Sequence, residues 1–528
     1  MRVKLLFSIL LVSCMTIWAT DSIKTVDVNR SLHIYNDVMR QLDMNYVDTL
    51  DYKDLLKTGI QAMLSHVDPY TVYIPKEDDA SLKLMTTGKY GGIGAIIMQR
   101  DSVVVISEPY LGMPAQKNDI LAGDTILEVD SMNCFKKTTK EVSDKLRGKA
   151  DTPVKLVLKR YGNPKPFTRE IIREEIHLPA VSYATALPDT LSPKTGYILF
   201  SEFTAGSSHE FLEAVDKMVR ENGIERLVID LRGNGGGIID EAIQIVGYFV
   251  NKGTEVVTTK GKTELSNRSY TTSTFPLYAQ MPLVILVDHN TASAAEIVSG
   301  SLQDMKRATL VGERTFGKGL VQSVRPIAYD GHLKVTTAHY YLPSGRCIQA
   351  IDYAERQKGN ALKRDTAGGI LPDIVINDSN KVDITYSLYV KQMFFDYATR
   401  YYATHSSIAP ATEFTLTEAD RDDFISYLET RHFTYETETG KSLKQTLDIA
   451  RHEDIDSTTL KQIEDLEPLL QPDYKKAICR HWDSVSEALG SEIVQRYYFQ
   501  KGRIAYLLRY DKELKQAIAG FTKNENKE

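Results

Sequence analysis

Three residues carry the types and spacing that nucleophilic chemistry needs: Ser293, Lys318 twenty-five positions later, and Gln322 four beyond that. A serine hydroxyl is a weak nucleophile until a neighbouring base takes its proton. A lysine can be that base only when uncharged, so burial must bring its pKa several units down from about 10.4. Phe316, Leu320 and Val321 are the apolar neighbours available to bury Lys318, and the Gln322 amide could aim it. The tetrahedral oxyanion then requires backbone N–H donors. Ala294, just after the serine, offers one, and Gly237, last of the run Gly233-Asn234-Gly235-Gly236-Gly237, could offer the other. Each residue also has a plain structural explanation. Ser293-Ala294-Ala295-Glu296 is a capping box, Lys318 a solvated loop lysine, and Gln322 an exposed strand residue. Only the combination points to catalysis.

These residues sit in a stretch, 284–322, that reads as strand, sharp turn, helix, strand and glycine-rich loop. Pro282–Asp288 is an apolar, β-branched run of strand length, and His289, Asn290 and Thr291 break it. A helix starts at Ser293, with Ile297, Val298, Leu302 and Met305 as its apolar stripe. Ala308–Gly312 is the next strand, and Thr315–Gly319 turns the chain back. Upstream, Tyr197–Phe200 is a strand and Glu210–Arg220 a helix. Leu227–Leu231 is a buried strand running into Arg232–Gly237, before a helix through Ala242, Ile243 and Val246. Such alternation gives a layered α/β core. Two further strands lie at about Val321–Ala328 and His332–Tyr341. Serine and lysine meet only if their two loops lie on one edge of the sheet.

The flanks differ in texture. Residues 26–88 carry helical spacing, with Leu32, Tyr35, Val38, Met39, Leu42 and Tyr46 in one run and Leu55, Leu56, Ile60, Met63 and Leu64 in another. Asp68-Pro69 ends the second. Residues 89–175 read as short strands, with a helix near Glu141–Leu146. There the Gly91-Gly92-Ile93-Gly94 turn leaves amides free to hold a carboxylate, unless it is a tight turn and no more. Residues 380–520 are a separate, tyrosine-rich helical region with no motif that suggests chemistry, and Asn524–Glu528 a solvated tail.

Residues 1–20 form a leader. Arg2 and Lys4 precede an apolar run from Leu5, the form of a secretory signal. Leu11-Val12-Ser13-Cys14 has the look of a lipoprotein cleavage box, while the apolar run continuing to Ala19 fits an ordinary signal or short anchor. Export, to the periplasm or its equivalent, is common to both, and contact with a membrane is expected only through a lipid on Cys14. The 528 residues carry a net charge of −6 and no long basic run, so nothing argues for nucleic acid. Eleven scattered histidines, with no His-Glu-x-x-His or Cys-x-x-Cys pair, give no metal centre, and no cofactor is expected. Cys134, Cys347 and Cys479 cannot pair evenly, which predicts mostly buried thiols.

The chain resembles the carboxyl-terminal processing, or tail-specific, serine peptidases. The resemblance rests on Asp230–Gly237, on Asp288–Ile297 and on Gly312–Gln322, three motifs in order, and covers roughly residues 28–378. It implies an α/β protease core (crotonase/ClpP-like) over 176–378, with an inserted PDZ domain at 89–175 and helical N- and C-terminal regions. It also implies a Ser293–Lys318 dyad with Gln322, and oxyanion amides at Gly237 and Ala294. The carboxylate-binding loop of the PDZ domain falls on Gly92, Ile93 and Gly94. Two departures are Ala295, where the family often has serine, and Asn118-Asp119, where PDZ domains usually have Ala-Gly. The implied substrates are proteins or peptides with free, apolar C-termini, cleaved near those tails, and the terminal helices could pair two copies, as in some relatives. Competing readings are a Ser-His-Asp hydrolase using His289 and Asp288, an inactive PDZ scaffold, and nucleotide binding at Arg232–Gly237. The last lacks the glycine spacing of either nucleotide fingerprint.

Overall fold

The computed structural model describes residues 27–358, 363–364, 368–376, 383–470 and 472–525. The leader, with Cys14, lies outside them, as does part of the 353–366 excursion. The chain divides into two units, one ending at Tyr73 and one beginning at Ile74. The first holds a helix over 27–45 and a second at Tyr52–Ser65. Asp51 caps the second by accepting the Lys53 and Asp54 amides. After it, the Asp68 carboxylate bends the chain by taking the amides of Tyr70 and Thr71, both at 2.7 Å.

In the second unit, residues 89–177 form the first module. Its sheet runs, in order, Ala95–Arg100, Val103–Pro109, Thr125–Val129, Pro153–Lys159 and Phe167–Ile172, all antiparallel. The short strand Met132–Asn133 pairs with Thr125–Val129. Ile93, Val104, Ile106, Val142, Leu146 and Leu156 fill its core. Lys89–Gly92 pairs with Glu174–His177 in a separate two-stranded ladder.

The central sheet places six strands in the order Val181–Ala186, Thr195–Phe200, Arg226–Asp230, Leu283–Val287, Ala308–Gly312 and Ile374–Val375. The first pair is antiparallel and every later pair parallel. Because successive side chains on a strand face opposite ways, the inner strands each supply two cores. Leu227, Ile229, Leu283, Ile285 and Val287 meet Phe211, Val215, Ala242, Val246, Ile297 and Val298, from the helices Ser207–Asn222, Ile239–Gly247 and Ala294–Asp304. Val228, Val284, Leu286 and Val311 meet Leu514, Ala517 and Phe521, from the helix Lys512–Glu525. A second, antiparallel sheet joins Leu320–Pro326, His332–Tyr341, Glu255–Gly261 and Arg268–Thr271.

The helices between Asp383 and Leu507 build their own core from Phe394, Tyr397, Phe424, Ile478, Leu489 and Ile493. The final helix does not belong to that cluster. It covers the open face of the central sheet, so the region read as separate supplies a layer of the α/β core, and the helix reaches Glu525 where a solvated tail is expected from Asn524. Of the three cysteines only Cys134 is buried; Cys347 and Cys479 are exposed, against the expectation of mostly buried thiols. Among the described residues no helix is long and apolar enough to cross a membrane, and no cluster of ligating side chains could hold a metal ion.

Candidate active site

Parallel strands send the loops that follow them to one edge, and that edge is where open α/β sheets bind ligands. The loops after Asp230, Val287 and Gly312 therefore converge. The Asp288 carboxylate stitches two of them together. Its Oδ1 accepts the Gly233 amide at 2.9 Å from the glycine loop, and the Asn290 and Thr291 amides at 3.1 and 2.9 Å from the serine turn. The Ala292 amide donates to the Asn234 carbonyl at 2.9 Å, adding a second stitch.

Ser293 caps the helix Ala294–Asp304, but not with the extended backbone usual for a cap. Its φ is 59° and ψ −119°, a combination nearly reserved for glycine that costs on the order of 1–3 kcal/mol elsewhere. A sharp strand-to-helix turn of this kind is how a nucleophile is thrust out at the top of a sheet. The turn is held by the Tyr340 hydroxyl, which donates to the Ser293 carbonyl at 3.1 Å, and by Glu296, which takes the Ser293 amide at 2.9 Å.

Glu296 does more than complete a capping box. It is fully buried and accepts four hydrogen bonds. Oε1 takes the Thr315 hydroxyl at 2.6 Å and the Gly317 amide at 2.8 Å; Oε2 takes the Ser293 and Lys318 amides, each at 2.9 Å. One carboxylate oxygen thus joins the backbone of the serine to that of the lysine. Burial pushes the Glu296 carboxyl up, and its hydrogen bonds, from Thr315 first, pull against that without cancelling it.

Lys318 is half-buried. Of the three apolar neighbours expected to cover it, Leu320 is buried and Val321 half-buried against the main core, but Phe316 is 41% exposed. Gly317 has φ 84°, with the site of its missing Cβ 2.5 Å from Ala350 Cβ, and that tight turn aims Phe316 outward. Gln322 lies on the strand Leu320–Pro326 just past a shift of register. Its side-chain amide donates to the Leu320 carbonyl at 3.4 Å and the Thr336 hydroxyl at 3.3 Å.

The glycine run packs directly on the serine. A Cβ on Gly236 would lie 2.7 Å from Ser293 Cβ and 2.8 Å from the Ala294 nitrogen. On Gly237, at φ 147°, it would lie 2.2 Å from the Phe203 carbonyl oxygen. Asn234 holds the loop by donating to the Phe200 carbonyl and accepting the Gly236 amide. Among the described residues, neither the Gly237 amide nor the Ala294 amide has a protein acceptor. Two free donors beside a serine suit an anionic oxygen.

His289 is 71% exposed on its side chain. Its Nδ1 pairs with Glu313 at 2.7 Å and its Nε2 with the Asn290 side-chain NH₂ at 3.2 Å. Asp288 is spent on backbone amides, the Thr291 hydroxyl and the Asn290 side-chain NH₂. Neither is arranged as a triad partner of Ser293.

In the first module, Gly92 ends the strand of the small ladder, while the Ile93 and Gly94 amides have no backbone acceptor among the described residues. Ala95–Arg100 is an edge strand of its sheet, with the helix Thr139–Leu146 alongside. An edge strand beside free amides is the geometry that adds a peptide as a further strand.

Sequence reasoning saw Glu296 only as a cap, and it missed Tyr340, Asp511 and Glu513. The available signal for Glu296 was its place between Ala295 and Ile297 on a helix otherwise lined for burial. The pairing of Arg232 with Asp511 and Glu513, both at 2.6 Å, had no such signal across nearly three hundred residues.

A model of peptidase family S41 matches residues 194–376. A PDZ-domain model matches 105–160, and a model described as a probable PDZ-protease C-terminal helical domain matches 384–521. A carboxy-terminal-processing protease of Bartonella bacilliformis is 33% identical over 350 residues, 66% of this chain and 75% of that one. A probable CtpA-like serine protease of Staphylococcus aureus is 31% identical over 319 residues, 60% of this chain and 62% of its own length, so the chain spans less than two thirds of that relative. Among solved structures, a photosystem II D1 C-terminal processing protease is 28% identical, covering 63% of this chain and 84% of that one at a TM-score of 0.37.

Proposed function

The chain belongs to peptidase family S41, with the carboxy-terminal-processing proteases among its relatives, and from that premise we propose that it is an exported serine endopeptidase cutting proteins near their C-terminal tails through Ser293 and Lys318. The observation that carries the reading is the shared Glu296 oxygen, which accepts the Ser293 and Lys318 amides together. The two amide nitrogens lie no further apart than the sum of those two bonds.

In this mechanism uncharged Lys318 takes the proton of the Ser293 hydroxyl as Oγ attacks a peptide carbonyl. The oxyanion is held by the Gly237 and Ala294 amides. Collapse breaks the C–N bond, and the lysine ammonium returns its proton to the departing amine. Water, deprotonated by the same lysine, then attacks the acyl carbonyl; the bond to Ser293 Oγ breaks, Oγ takes the proton back from the lysine ammonium, and the acyl group leaves as a carboxylic acid. Gln322 would steady the amine, after its amide turns from Thr336. The substrate's own C-terminal carboxylate docks on the Ile93 and Gly94 amides, beside Gly92, with its last residues laid along Ala95–Arg100. The core's crotonase/ClpP-like character, and export by the 1–20 leader with or without a lipid on Cys14, are parts of the same proposal.

The test is a paired assay on an unfolded protein with an apolar C-terminus. Ser293→Ala and Lys318→Ala are each expected to abolish cleavage while circular dichroism stays unchanged, and a C-terminally amidated substrate is expected to be cut more slowly. Cleavage surviving in either variant rules out the dyad. Cell fractionation with and without Cys14→Ala separates an anchored from a free exported form.

A further inference from the structure

The loop that offers the Gly237 amide has few side chains to hold it. Between Gly233 and Gly237 only Asn234 has one, and Gly233, Gly236 and Gly237 all take positive φ. Such a segment is conformationally permissive, so its place is set by the bonds that Asp288 and Asn234 make to it together with what grips its ends. At the far end, the Phe203 carbonyl takes the Ile238 amide at 2.8 Å and the Gly236 carbonyl takes the Phe203 amide at 3.1 Å. At the near end stands Arg232.

Arg232 is gripped by three carboxylates. Its Nε donates to Asp230 at 3.0 Å. Its Nη2 reaches Asp511 at 2.6 Å, and its Nη1 reaches Glu513 at 2.6 Å. Asp230 in turn accepts the buried Tyr197 hydroxyl at 2.6 Å. Asp511 also caps the last helix, accepting the Leu514 amide at 2.8 Å. That helix is fixed to the sheet by Leu514, Ala517 and Phe521. The near end of the glycine loop is therefore fastened to a rigid element from the other end of the chain, by an arginine whose side chain is only 24% exposed.

We propose that Arg232, held by Asp511 and Glu513, is a positioning residue that sets the Gly237 amide for the oxyanion. The inference rests on the peptidase reading above and adds to it a role for the C-terminal segment in the chemical step. Donors aimed at the oxyanion act only where charge develops, so misplacing one lowers kcat and leaves ground-state binding alone. Removing a whole oxyanion donor costs about 10²–10³ in kcat; loosening its support costs less, roughly tenfold.

The test uses the full chain carrying Asp511→Asn with Glu513→Gln. Asparagine still caps the helix, so charge is lost while the cap remains. The expected result is a roughly tenfold fall in kcat on the tailed substrate with KM within twofold. A matching rise is expected in the inhibition constant of a peptide boronate, whose tetrahedral adduct places an oxygen where the oxyanion forms. Arg232→Lys, which keeps the charge but not the fork, should retain more kcat than Arg232→Met. Unchanged kcat in the double variant overturns the proposal, as does a loss confined to KM. Should the double variant fold poorly, Glu513→Gln alone, which spares the cap, is expected to lower kcat severalfold, and no change there is equally fatal. Ser293→Ala run alongside keeps the two readings apart. If it still cleaves, the peptidase reading falls; if it is dead while the carboxylate variants are fully active, only this inference falls.

Discussion

Replacing Glu296 tests the joint on which the site is built. A glutamine side chain there has one acceptor where the carboxylate has two. Its better orientation puts the amide oxygen where Oε2 stands and keeps the Ser293 and Lys318 amides. The NH₂ group then faces the Gly317 amide and the Thr315 hydroxyl, which already accepts the Ile370 amide at 2.7 Å. One buried N–H loses its partner, at about 1–3 kcal/mol. The opposite orientation strands two, and glutamine avoids it. Alanine strands all three amides together with the hydroxyl, so Glu296→Ala is expected to lose at least ~3 kcal/mol. The catalytic consequence follows the same order. Glu296→Gln keeps serine tied to lysine but frees the Gly317 end of the lysine loop, and about a tenfold loss of kcat is expected. Glu296→Ala cuts the tie, and a 1 Å misplacement of reacting groups can cost 10²-fold. Urea unfolding gives the stabilities, and single-turnover cleavage of an unfolded, apolar-tailed protein gives the rates. A folded Glu296→Ala protein with near wild-type kcat refutes the reasoning, because it shows that the backbones of residues 293 and 318 stay aligned without the shared oxygen.

Three further outcomes follow from single contacts. Gly236→Ala puts a methyl 2.7 Å from Ser293 Cβ at φ 95°, so cleavage should fall at least a hundredfold, read from initial rates, with the secondary structure retained. Glu241 accepts the Gly206 and Ser208 amides at 2.8 Å each, at the start of the helix Ser207–Asn222. Burial raises its carboxyl, but the bonds from Ser208 and Gly206 outweigh this and leave it below the ordinary value. A depressed carboxyl adds stability above the ordinary glutamate range and loses it as pH falls through the lowered value. Glu241→Gln should therefore lower stability by about 1 kcal/mol at pH 7, and urea titrations should show the gap closing as the solution is acidified. Deleting residues 512–528 uncovers Val228, Val284, Leu286 and Val311. With Leu514 and Phe521 alone contributing about 1.5–3 kcal/mol each, the truncated chain should be insoluble or molten by near-ultraviolet circular dichroism.

How much of this was legible in the sequence depends on how local each cause is. The strands at Ala308–Gly312 and His332–Tyr341 fall where their β-branched runs place them, and the helix after Ser293 starts where its cap says. The convergence of the serine and lysine loops needed only parallel strand order. Glu296 was harder, because the donors that make it a joint come from positions 315, 317 and 318, and a capping box explains its type without them. Phe316 was misjudged because hydrophobicity says nothing of the Gly317 turn that points it outward. Gln322 sits just beyond a register shift against His332–Tyr341, and such a slip changes which face a strand residue takes. The last helix was legible only as part of a helical region read as separate, because nothing local to it names the sheet it covers.

That helix changes how the molecule divides. Residues 383–507 hold a core of their own, yet the chain then leaves it to complete a sheet whose other strands were laid down between Val181 and Val375. The inner strands of that sheet are apolar on both faces, as parallel strands covered on both sides must be. Until the helix docks, one face of Val228, Val284, Leu286 and Val311 is open to water. The same docking brings Asp511 and Glu513 to Arg232. One segment, 511–525, thus both closes the hydrophobic face of the sheet and supplies the carboxylates that grip Arg232, so residues 194–376 do not hold every contact that surrounds the edge carrying Ser293.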